Sequence, residues 1–380
     1  MIKNVLISGG AGFIGSNIAI KLIDIGFNVT ILDSLSPQIH TDDPYNNSFT
    51  FKRVLSSDAR FIKGSVTKRD DWRKALIGQD IVIHLAAETG TGQSMYQIEK
   101  YNEVNVMGTA LLLDILTNEE HNIQKIIVAS SRAIYGEGKY DCEIHGKVYP
   151  DTRIESDLSN KDFQCKCPIC GGAIELMPTD EASLYKPTSV YGLSKQTQEQ
   201  MVLIVGKSLN IPAIAFRYQN VYGPGQSLSN PYTGILSIFS TQLKNNNPIN
   251  IFEDGKESRD FVFIDDVVNG TIAGLLNSDG DYKMINIGSG EATDVLTVAD
   301  LLKSNYDSQS EIRITGNYRL GDIRHNYADL TIAKKYLNFT PQYSFKEGLS
   351  LFCQWVDSQE IQNDDSQKSL AEMKSKGLFK

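Results

Sequence analysis

The sequence predicts an α/β protein: a Rossmann-like, doubly wound parallel sheet, followed by a smaller lobe of mixed α/β structure. Short apolar runs alternate with helical patterns through the first 130 residues, which is typical of a doubly wound sheet. These runs are nearly continuous in Val, Ile and Leu, as in strands that are buried on both faces. The chain has 380 residues, more than one hydrophobic core usually organises, so we expect two lobes.

The apolar runs and the periodic segments place the individual elements. We predict strands at residues 5–8, 28–32, 60–63, 81–84, 126–129 and 213–216, and helices at 16–25, 71–76, 101–116 and 190–206. From about Tyr222 onward the elements become shorter and mixed. We therefore divide the chain into a Rossmann domain (1–221), a second lobe (222–356) whose parts around 262–290 return to the first domain, and a polar tail (357–380). We expect this tail to form a surface helix or a frayed end.

Composition and charge exclude several classes of partner. The chain carries 46 acidic against 37 basic side chains, a formal net charge of −9, which argues against general binding to nucleic acid or to anionic membranes. No apolar stretch approaches the length that a membrane span needs, and residues 1–8 lack the pattern of a signal peptide. Five cysteines are an odd and modest number, which fits a reducing compartment. We therefore expect a cytoplasmic protein.

A glycine-rich turn follows the first predicted strand and opens the first helix. The turn, Gly10 to Gly15, has the spacing G-x-G-x-x-G, and Asp33 stands at the end of the second strand. The glycines allow the backbone to approach a pyrophosphate, and the free N–H groups of the helix start favour its charge. Asp33 would accept hydrogen bonds from a ribose diol and repel a 2′-phosphate, so we predict NAD rather than NADP. The alternative is a turn that only packs a helix against a sheet.

A tyrosine and a lysine stand four residues apart on the helix predicted at 190–206. Tyr191 and Lys195 therefore share one helix face, where the lysine charge would lower the pKa of the tyrosine and make it a usable base. Ser131 would donate a hydrogen bond to the substrate oxygen whose proton the tyrosine removes. We predict that these three residues are catalytic and remove a proton from a substrate hydroxyl as a hydride leaves for nicotinamide. The alternative is a solvated helix pair with a buried phenol.

The motifs together resemble the extended short-chain dehydrogenase/reductases and, within them, the NAD-dependent nucleotide-sugar epimerases and dehydratases. The resemblance covers nearly the whole chain in the expected order, except the segment 137–182 and the final tail. The motifs that carry it, besides the glycine turn, lie at residues 84–87 (HLAA), 105–109 (NVMGT), 130–136 (SSRAIYG), 191–195 (YGLSK), 220–225 (NVYGPG), 259–266 (RDFVFIDD) and 319–324 (RLGDIR).

The resemblance implies a set of contacts to cofactor and substrate. For the cofactor it implies Gly9, Gly12, Phe13, Ile14, Gly15, Asp33, Leu85, Ala86, Ala87, Asn105, Ser130, Tyr191, Lys195 and Tyr218. For the substrate, a nucleotide-diphosphate sugar, it implies Ser131, Arg132, Asn220, Arg259, Arg319 and Asp322. Arginine forks suit a diphosphate, although surface charge without a ligand is the alternative. The resemblance also implies a homodimer built through the helices around 101–116 and 190–206.

Departures from the family pattern narrow the range of reactions that the protein could catalyse. Arg132 and Ala133 stand where the related 4,6-dehydratases carry an Asp–Glu pair, which argues against dehydration. Ser65 and Lys68 replace the acidic residues usual near the adenine. Tightly held NAD favours epimerisation at C4 through a 4-keto sugar, and the motifs look closest to bacterial dTDP-L-rhamnose 4-epimerases of cell-surface polysaccharide biosynthesis. A UDP-hexose 4-epimerase, a 4-keto-sugar reductase or 4-dehydrogenase, and a dinucleotide-binding scaffold or sensor remain open.

The segment 137–182 is a polar, irregular insert that holds four of the five cysteines. Cys142, His145, Cys167 and Cys170 form a C-x2-H…C-x2-C array, and the second pair lies in a CPICGG turn, a pattern typical of zinc sites. We predict a structural zinc ion that stabilises the insert, with Cys165 as a competing ligand. The alternative is a set of reduced cysteines in a mobile lid. Cys353 lies alone in an apolar run and is expected to be a small core residue.

Overall fold

The computed structural model describes residues 3–230, 232 and 234–380. The strands, in chain order, are β1 (Asn4–Ser8), β2 (Asn28–Asp33), β3 (Arg60–Lys63), β4 (Ile81–His84), β5 (Lys125–Ser131), β6 (Tyr140–Cys142), β7 (Gly146–Val148), β8 (Glu175–Leu176), β9 (Ala213–Tyr218), β10 (Asn220–Tyr222), β11 (Ile249–Ile251), β12 (Ser258–Arg259), β13 (Phe261–Phe263), β14 (Lys283–Ile287), β15 (Thr293–Asp294), β16 (Ile312–Ile314) and β17 (His325–Asn326).

The helices surround the strands on both faces. In chain order they are α1 (Phe13–Asp24), α2 (Pro37–His40), α3 (Pro44–Asn47), α4 (Phe49–Leu55), α5 (Arg69–Leu76), α6 (Thr91–Ser94), α7 (Ile98–Tyr101), α8 (Gly108–Asn118), α9 (Glu155–Ser159), α10 (Val190–Ser208), α11 (Ile235–Lys244), α12 (Ile264–Leu276), α13 (Val295–Asn305), α14 (Thr331–Leu337), α15 (Phe345–Asp357) and α16 (Ser366–Ser375). Asn102–Met107 is π-helical and Arg132–Tyr135 is a turn of 3₁₀ helix. No helix of the described ranges is long and apolar enough to cross a membrane.

A seven-stranded parallel sheet organises the first domain. Its strand order is β14-β9-β5-β4-β1-β2-β3, and every residue of β4 and β5 is buried because helices cover both faces. The order reverses direction beside β1, which creates a crevice at the carboxyl ends of β1 and β4, where α/β proteins bind their ligands. The predicted fold class, a Rossmann-like doubly wound sheet with a mixed α/β lobe, is confirmed.

The predicted strands match the observed ones closely, whereas one predicted helix is interrupted. The helix expected at 101–116 contains the π-helical segment before α8. Within that segment the buried Asn105 side chain donates to Ser194 Oγ (2.9 Å) and accepts from the Glu88 N–H (2.7 Å). Local widening of this kind is common near functional sites. Periodicity alone did not indicate it.

The insert and the tail are more ordered than the sequence indicates. The insert, expected to be irregular, contains a small antiparallel sheet of order β7-β6-β8. In the tail, Met373 of α16 is buried, and the last residues pair with the second lobe through Lys380 N to Tyr318 O (3.0 Å) and Tyr318 N to Lys380 O (2.8 Å). Of the two forms expected for the tail, the helix is the one present, as α16, and the tail is docked on the second lobe rather than frayed.

Candidate active site

A cleft of about 1310 Å³ opens at the carboxyl ends of the parallel strands. This volume exceeds that of most single-ligand pockets, so it suits a dinucleotide and a second ligand together. Most residues predicted for cofactor or substrate line it. They are Gly9, Gly12, Phe13, Ile14, Gly15, Asp33, Leu85, Ala86, Ala87, Ser130, Ser131, Arg132, Tyr191, Lys195, Tyr218, Asn220 and Arg319.

Close backbone packing explains Gly15 of the turn and Gly9, which directly precedes the turn. Gly9 has a φ of +72°, and a Cβ there would lie 2.7 Å from the backbone nitrogen of Ala86. A Cβ on Gly15 would lie 2.7 Å from the Cα of Gly10. The turn is therefore packed closely against the loop after β4, and the residues at the start of α1 line the cleft, where the free N–H groups of a helix start suit a pyrophosphate.

Asp33 lies at the end of β2 and is fixed by the backbone around it. Its carboxylate accepts from the N–H of Ala11 (3.0 Å) and of Leu35 (2.9 Å), which leaves lone pairs for a further donor. His40 Nε2 lies 3.8 Å from the same carboxylate. Burial lowers the pKa of His40, although Asp33 opposes that shift, so a neutral imidazole faces Asp33. Sequence reasoning missed His40, because no motif precedes it.

Ser131 and Tyr191 meet where β5 ends and α10 begins. The Ser131 hydroxyl accepts from the Ala133 N–H (3.1 Å), so its own hydrogen remains available for a substrate oxygen. The ring of Tyr191 packs edge-on against Tyr101, with centroids 6.4 Å apart. Burial raises the pKa of Tyr191, whereas the Ser131 hydroxyl and the Arg132 charge oppose that rise.

Lys195 is buried one helical turn below Tyr191. Burial lowers the pKa of Lys195 to about 7, against the opposing charge of Glu199, and its ammonium donates to Gln198 Oε1 (2.8 Å). Arg132 is therefore a further cation that opposes the rise in the pKa of Tyr191, and the expected effect of Lys195 on that pKa stays a prediction. The i, i+4 spacing predicted the shared helix face but not how deeply the lysine is buried.

A polar chain missed by the sequence reasoning runs from Lys195 beneath the cleft. Gln198 Nε2 donates to Thr109 Oγ1 (2.7 Å), and the His84 ring nitrogens contact Thr109 Oγ1 (2.9 Å) and Ser8 Oγ (2.6 Å). Burial lowers the pKa of His84 to about 3, so the imidazole is neutral at physiological pH. These contacts satisfy the hydrogen-bonding groups of the buried side chains and fix Gln198 in the position where it accepts from Lys195.

Two arginines and an asparagine, Arg132, Arg319 and Asn220, line the same cleft and form what we call its basic wall. Arg132 Nε donates to Asn220 Oδ1 (2.8 Å), and burial lowers the pKa of Arg132 to about 10. The Arg319 guanidinium lies over the ring of Phe252 at 4.8 Å. Within the described residues, the buried Nε of Arg319 has no hydrogen-bond partner. An unpaired buried donor that lines a cleft suits an anionic ligand.

Three predicted site residues do not belong to the cleft lining as far as the chain is described. Asn105 bonds to Glu88 and Ser194 and so supports the cleft from behind, and its expected cofactor contact stays a prediction. Arg259 donates to Asp322 Oδ1 (3.1 Å) and to the carbonyl of Ile323 (2.7 Å). This pair supports the loop that carries Arg319. The predicted contacts of Arg259 and Asp322 with the substrate stay predictions.

The structure also brings together the four predicted metal ligands. One ligand atom from each of Cys142, His145, Cys167 and Cys170 lies within 4.8 Å of all the others. Cys165 is not in this group: its sulfur accepts from the Tyr140 hydroxyl (3.6 Å). The four residues could therefore hold a metal, and Cys165 is not a competitor.

Comparisons with known proteins agree with this arrangement. The family described as the NAD dependent epimerase/dehydratase family matches residues 5–153 and 167–288. A dTDP-L-rhamnose 4-epimerase of Burkholderia thailandensis is 35% identical over 356 residues, which cover 93% of this chain and 95% of the relative. The residues left out between the two matched ranges lie in the cysteine insert.

Solved structures share the whole architecture. A UDP-glucose 4-epimerase from Thermotoga maritima, solved with UDP-glucose, has a TM-score of 0.76 at 27% identity, covering 93% of this chain and 99% of its own. A UDP-glucuronic acid 4-epimerase from Bacillus cereus, solved with UDP-glucuronic acid and NAD, has a TM-score of 0.75 at 25% identity and the same coverage.

Proposed function

Because the chain belongs to the NAD-dependent epimerase/dehydratase family, we propose that it inverts C4 of a nucleotide-activated hexose, with dTDP-L-rhamnose or its C4 epimer as substrate. The predicted family and the predicted class, an NAD-dependent nucleotide-sugar 4-epimerase, are confirmed. The observation that carries the proposal is the convergence of Ser131, Tyr191 and Lys195 with the glycine turn on one cleft. Retention of these side chains argues against a scaffold or sensor.

The chain's own residues supply the proton chemistry of this proposal. Bound NAD would supply the hydride acceptor for C4 of the sugar and, once reduced, the hydride donor. Tyr191 Oη takes the proton of the 4-hydroxyl, and the free hydrogen of the Ser131 hydroxyl stabilises charge on that oxygen. Lys195, buried beside them, orients the nicotinamide ribose. The Asp33 carboxylate receives the adenosine ribose diol.

The basic wall holds the nucleotide diphosphate in this proposal. Arg132 and Arg319 both line the cleft, and their guanidinium groups would bind a diphosphate through charge-assisted hydrogen bonds. A local cationic wall of this kind recruits an anion to a protein whose formal net charge is −9.

Several further features belong to the same proposal. Residues 1–221 carry NAD, residues 222–356 carry most nucleotide-sugar contacts, and a structural zinc ion stabilises the insert. A cytoplasmic location fits five cysteines that form no disulfide. A homodimer through α8 and α10 fits the exposed side chains of Leu193 and Ile204, 54% and 68% accessible. A monomer in light scattering would contradict the dimer.

A substrate screen tests the proposed reaction. Purified protein is incubated with dTDP-, UDP- and GDP-hexoses, the product is identified by NMR, and the absorbance of reduced nicotinamide is followed. We expect conversion of dTDP-L-rhamnose with no net change in nicotinamide absorbance. Conversion of UDP-hexoses alone would mean that the substrate is a UDP-hexose. Stoichiometric reduction of NAD would identify a 4-dehydrogenase instead.

Arg132→Met should shift the pH dependence of turnover. The arginine charge opposes the burial that raises the pKa of Tyr191, so its removal should raise that pKa further. Less of the base form is then present at a given pH, and the acidic limb of kcat/KM should move to higher pH. We also expect kcat/KM at neutral pH to fall about ten- to a hundredfold, since a charged hydrogen bond to the substrate is lost.

Arg132→Lys is the matched variant for this test. Lysine keeps the positive charge but not the planar guanidinium group. The acidic limb of kcat/KM should therefore return to its wild-type pH, whereas KM should not return to its wild-type value. A pH profile that stays in place in Arg132→Met would show that Arg132 does not act on Tyr191.

A further inference from the structure

We propose that Cys142, His145, Cys167 and Cys170 form a closed Cys3His site for one structural Zn²⁺, and that this site fixes the insert as a bracket on the loop that carries Arg319. The bracket's effect on nucleotide-sugar binding rests on the proposed function, whereas the metal site itself does not. The evidence consists of the spacing of the ligand atoms, the small core of the insert, and its buried contacts with the second lobe.

Three of the six distances between ligand atoms match the edges of a zinc tetrahedron, and the other three are at most 4.8 Å. With Zn–S bonds of about 2.3 Å and Zn–N bonds of about 2.05 Å, two sulfurs lie about 3.8 Å apart, and a sulfur and a nitrogen about 3.6 Å. Cys142 Sγ lies 3.9 Å from Cys170 Sγ and 3.6 Å from His145 Nδ1, and Cys167 Sγ lies 3.7 Å from the same nitrogen. Four protein ligands fill the coordination shell, so the site is structural rather than catalytic.

The backbone delivers these ligands from two tight turns. Cys142 and His145 belong to the hairpin between β6 and β7. In the second turn, the Gly171 N–H donates to the Cys167 carbonyl (2.8 Å), the Cys167 N–H donates to the Gly172 carbonyl (2.9 Å), and Gly171 has a φ of +70°. Both turns therefore bring their ligand atoms toward a common point.

The insert has too small a core to hold this geometry by packing alone. Its own hydrophobic cluster contains five buried residues, Tyr140, Cys142, Val148, Cys165 and Cys167, and two of these are proposed ligands. Small units with so little apolar surface usually require a metal or disulfides, and none of the cysteines forms a disulfide. A bound Zn²⁺ would supply the missing free energy of folding.

The insert is joined to the second lobe by a buried ionic network. Arg153 donates through both terminal nitrogens to the Glu253 carboxylate (2.8 Å each) and to the Asp322 carbonyl (2.9 Å). Glu137 accepts from the Arg324 N–H (2.6 Å). Arg153 and Glu137, the two insert residues of this network, are almost fully buried. Asp322 and Arg324 belong to the same loop, residues 319–324, as Arg319. The folded insert therefore positions Arg319, which belongs to the basic wall.

Metal analysis of the whole protein tests the site. Protein purified without chelator should hold about one equivalent of zinc per chain. Cys170→Ser, chosen because Cys170 is exposed, should lose most of it. Cys165→Ala is the matched control from the same insert and should keep it. Metal-free protein titrated with Co²⁺ should show the visible bands of tetrahedral thiolate coordination, and Cys170→Ser should not.

The test has clear contrary outcomes that do not depend on turnover. Wild-type protein with less than about a tenth of an equivalent of zinc, and no uptake of Zn²⁺ or Co²⁺ after stripping, would overturn the site. Equal zinc loss in Cys165→Ala and Cys170→Ser would overturn the ligand assignment. If the site is correct, stripping should weaken binding of dTDP but leave the NAD content unchanged. Unchanged dTDP binding would overturn the bracket while the metal site stands.

Discussion

Tyr191→Phe should lower kcat by about 10²–10⁴-fold, the usual contribution of a positioned acid–base group, while NAD stays bound. The substitution removes only the oxygen that would take the 4-hydroxyl proton. The ring still packs against Tyr101, and the glycine turn and Asp33 are untouched. The measurements are kcat with the substrate found in the screen and the NAD content of the purified variant.

Tyr101→Phe provides a control with the same chemical change. Its hydroxyl donates to the carbonyls of Thr89 and Gly90, and its side chain is buried behind the cleft. We expect a loss of stability there with most of kcat retained. If Tyr191→Phe kept more than about a tenth of wild-type kcat, another residue would have to act as the base.

Local patterns predicted the sheet and the turn well because their causes are local. The strands at 60–63 and 81–84 were predicted with the observed bounds, since each contains adjacent β-branched or aromatic residues with polar residues beside them. β5 extends to Ser131 because its pairing with β9 continues through Ser130 opposite Arg217 and Ser131 opposite Tyr218. That pairing joins distant segments, so the apolar run alone ended too early.

Features that depend on long-range burial could not be read from spacing. The lowered pKa of Lys195 follows from its depth in the fold, which an i, i+4 pattern does not report. The docking of the tail depends on Phe379, whose ring lies 5.0 Å from that of Phe252 beneath Arg319. A polar sequence gave no sign that its end would complete this stack.

Glu199→Gln should lower the free energy of unfolding by about 3–5 kcal/mol, since it leaves a buried charge without its partner. Glu199 and Arg217 are both fully buried, and the carboxylate accepts from Arg217 Nη2 (2.6 Å) and Nε (3.0 Å). Arg217 also donates to the hydroxyls of Tyr135 (2.7 Å) and Tyr185 (2.6 Å). Loss of Glu199 would therefore weaken the attachment of α10 to β9.

The same substitution should affect the catalytic lysine. Glu199 is the charge that opposes the effect of burial on Lys195, so its removal should lower the pKa of Lys195 below about 7. The ammonium form then persists only at lower pH. Any step that needs a charged Lys195 should lose rate at a lower pH than in the wild type, so the alkaline limb of kcat should move down.

Comparison of single and double variants separates charge burial from packing. Urea unfolding should show that Glu199→Leu combined with Arg217→Met is closer to wild type than either single change, since apolar replacement of a whole buried pair is often tolerated. Arg73→Met, which breaks the exposed pair with Glu119, should change stability little. If Glu199→Gln were as mild as Arg73→Met, the buried pair would not be what holds α10, and the catalytic helix would depend on apolar packing instead.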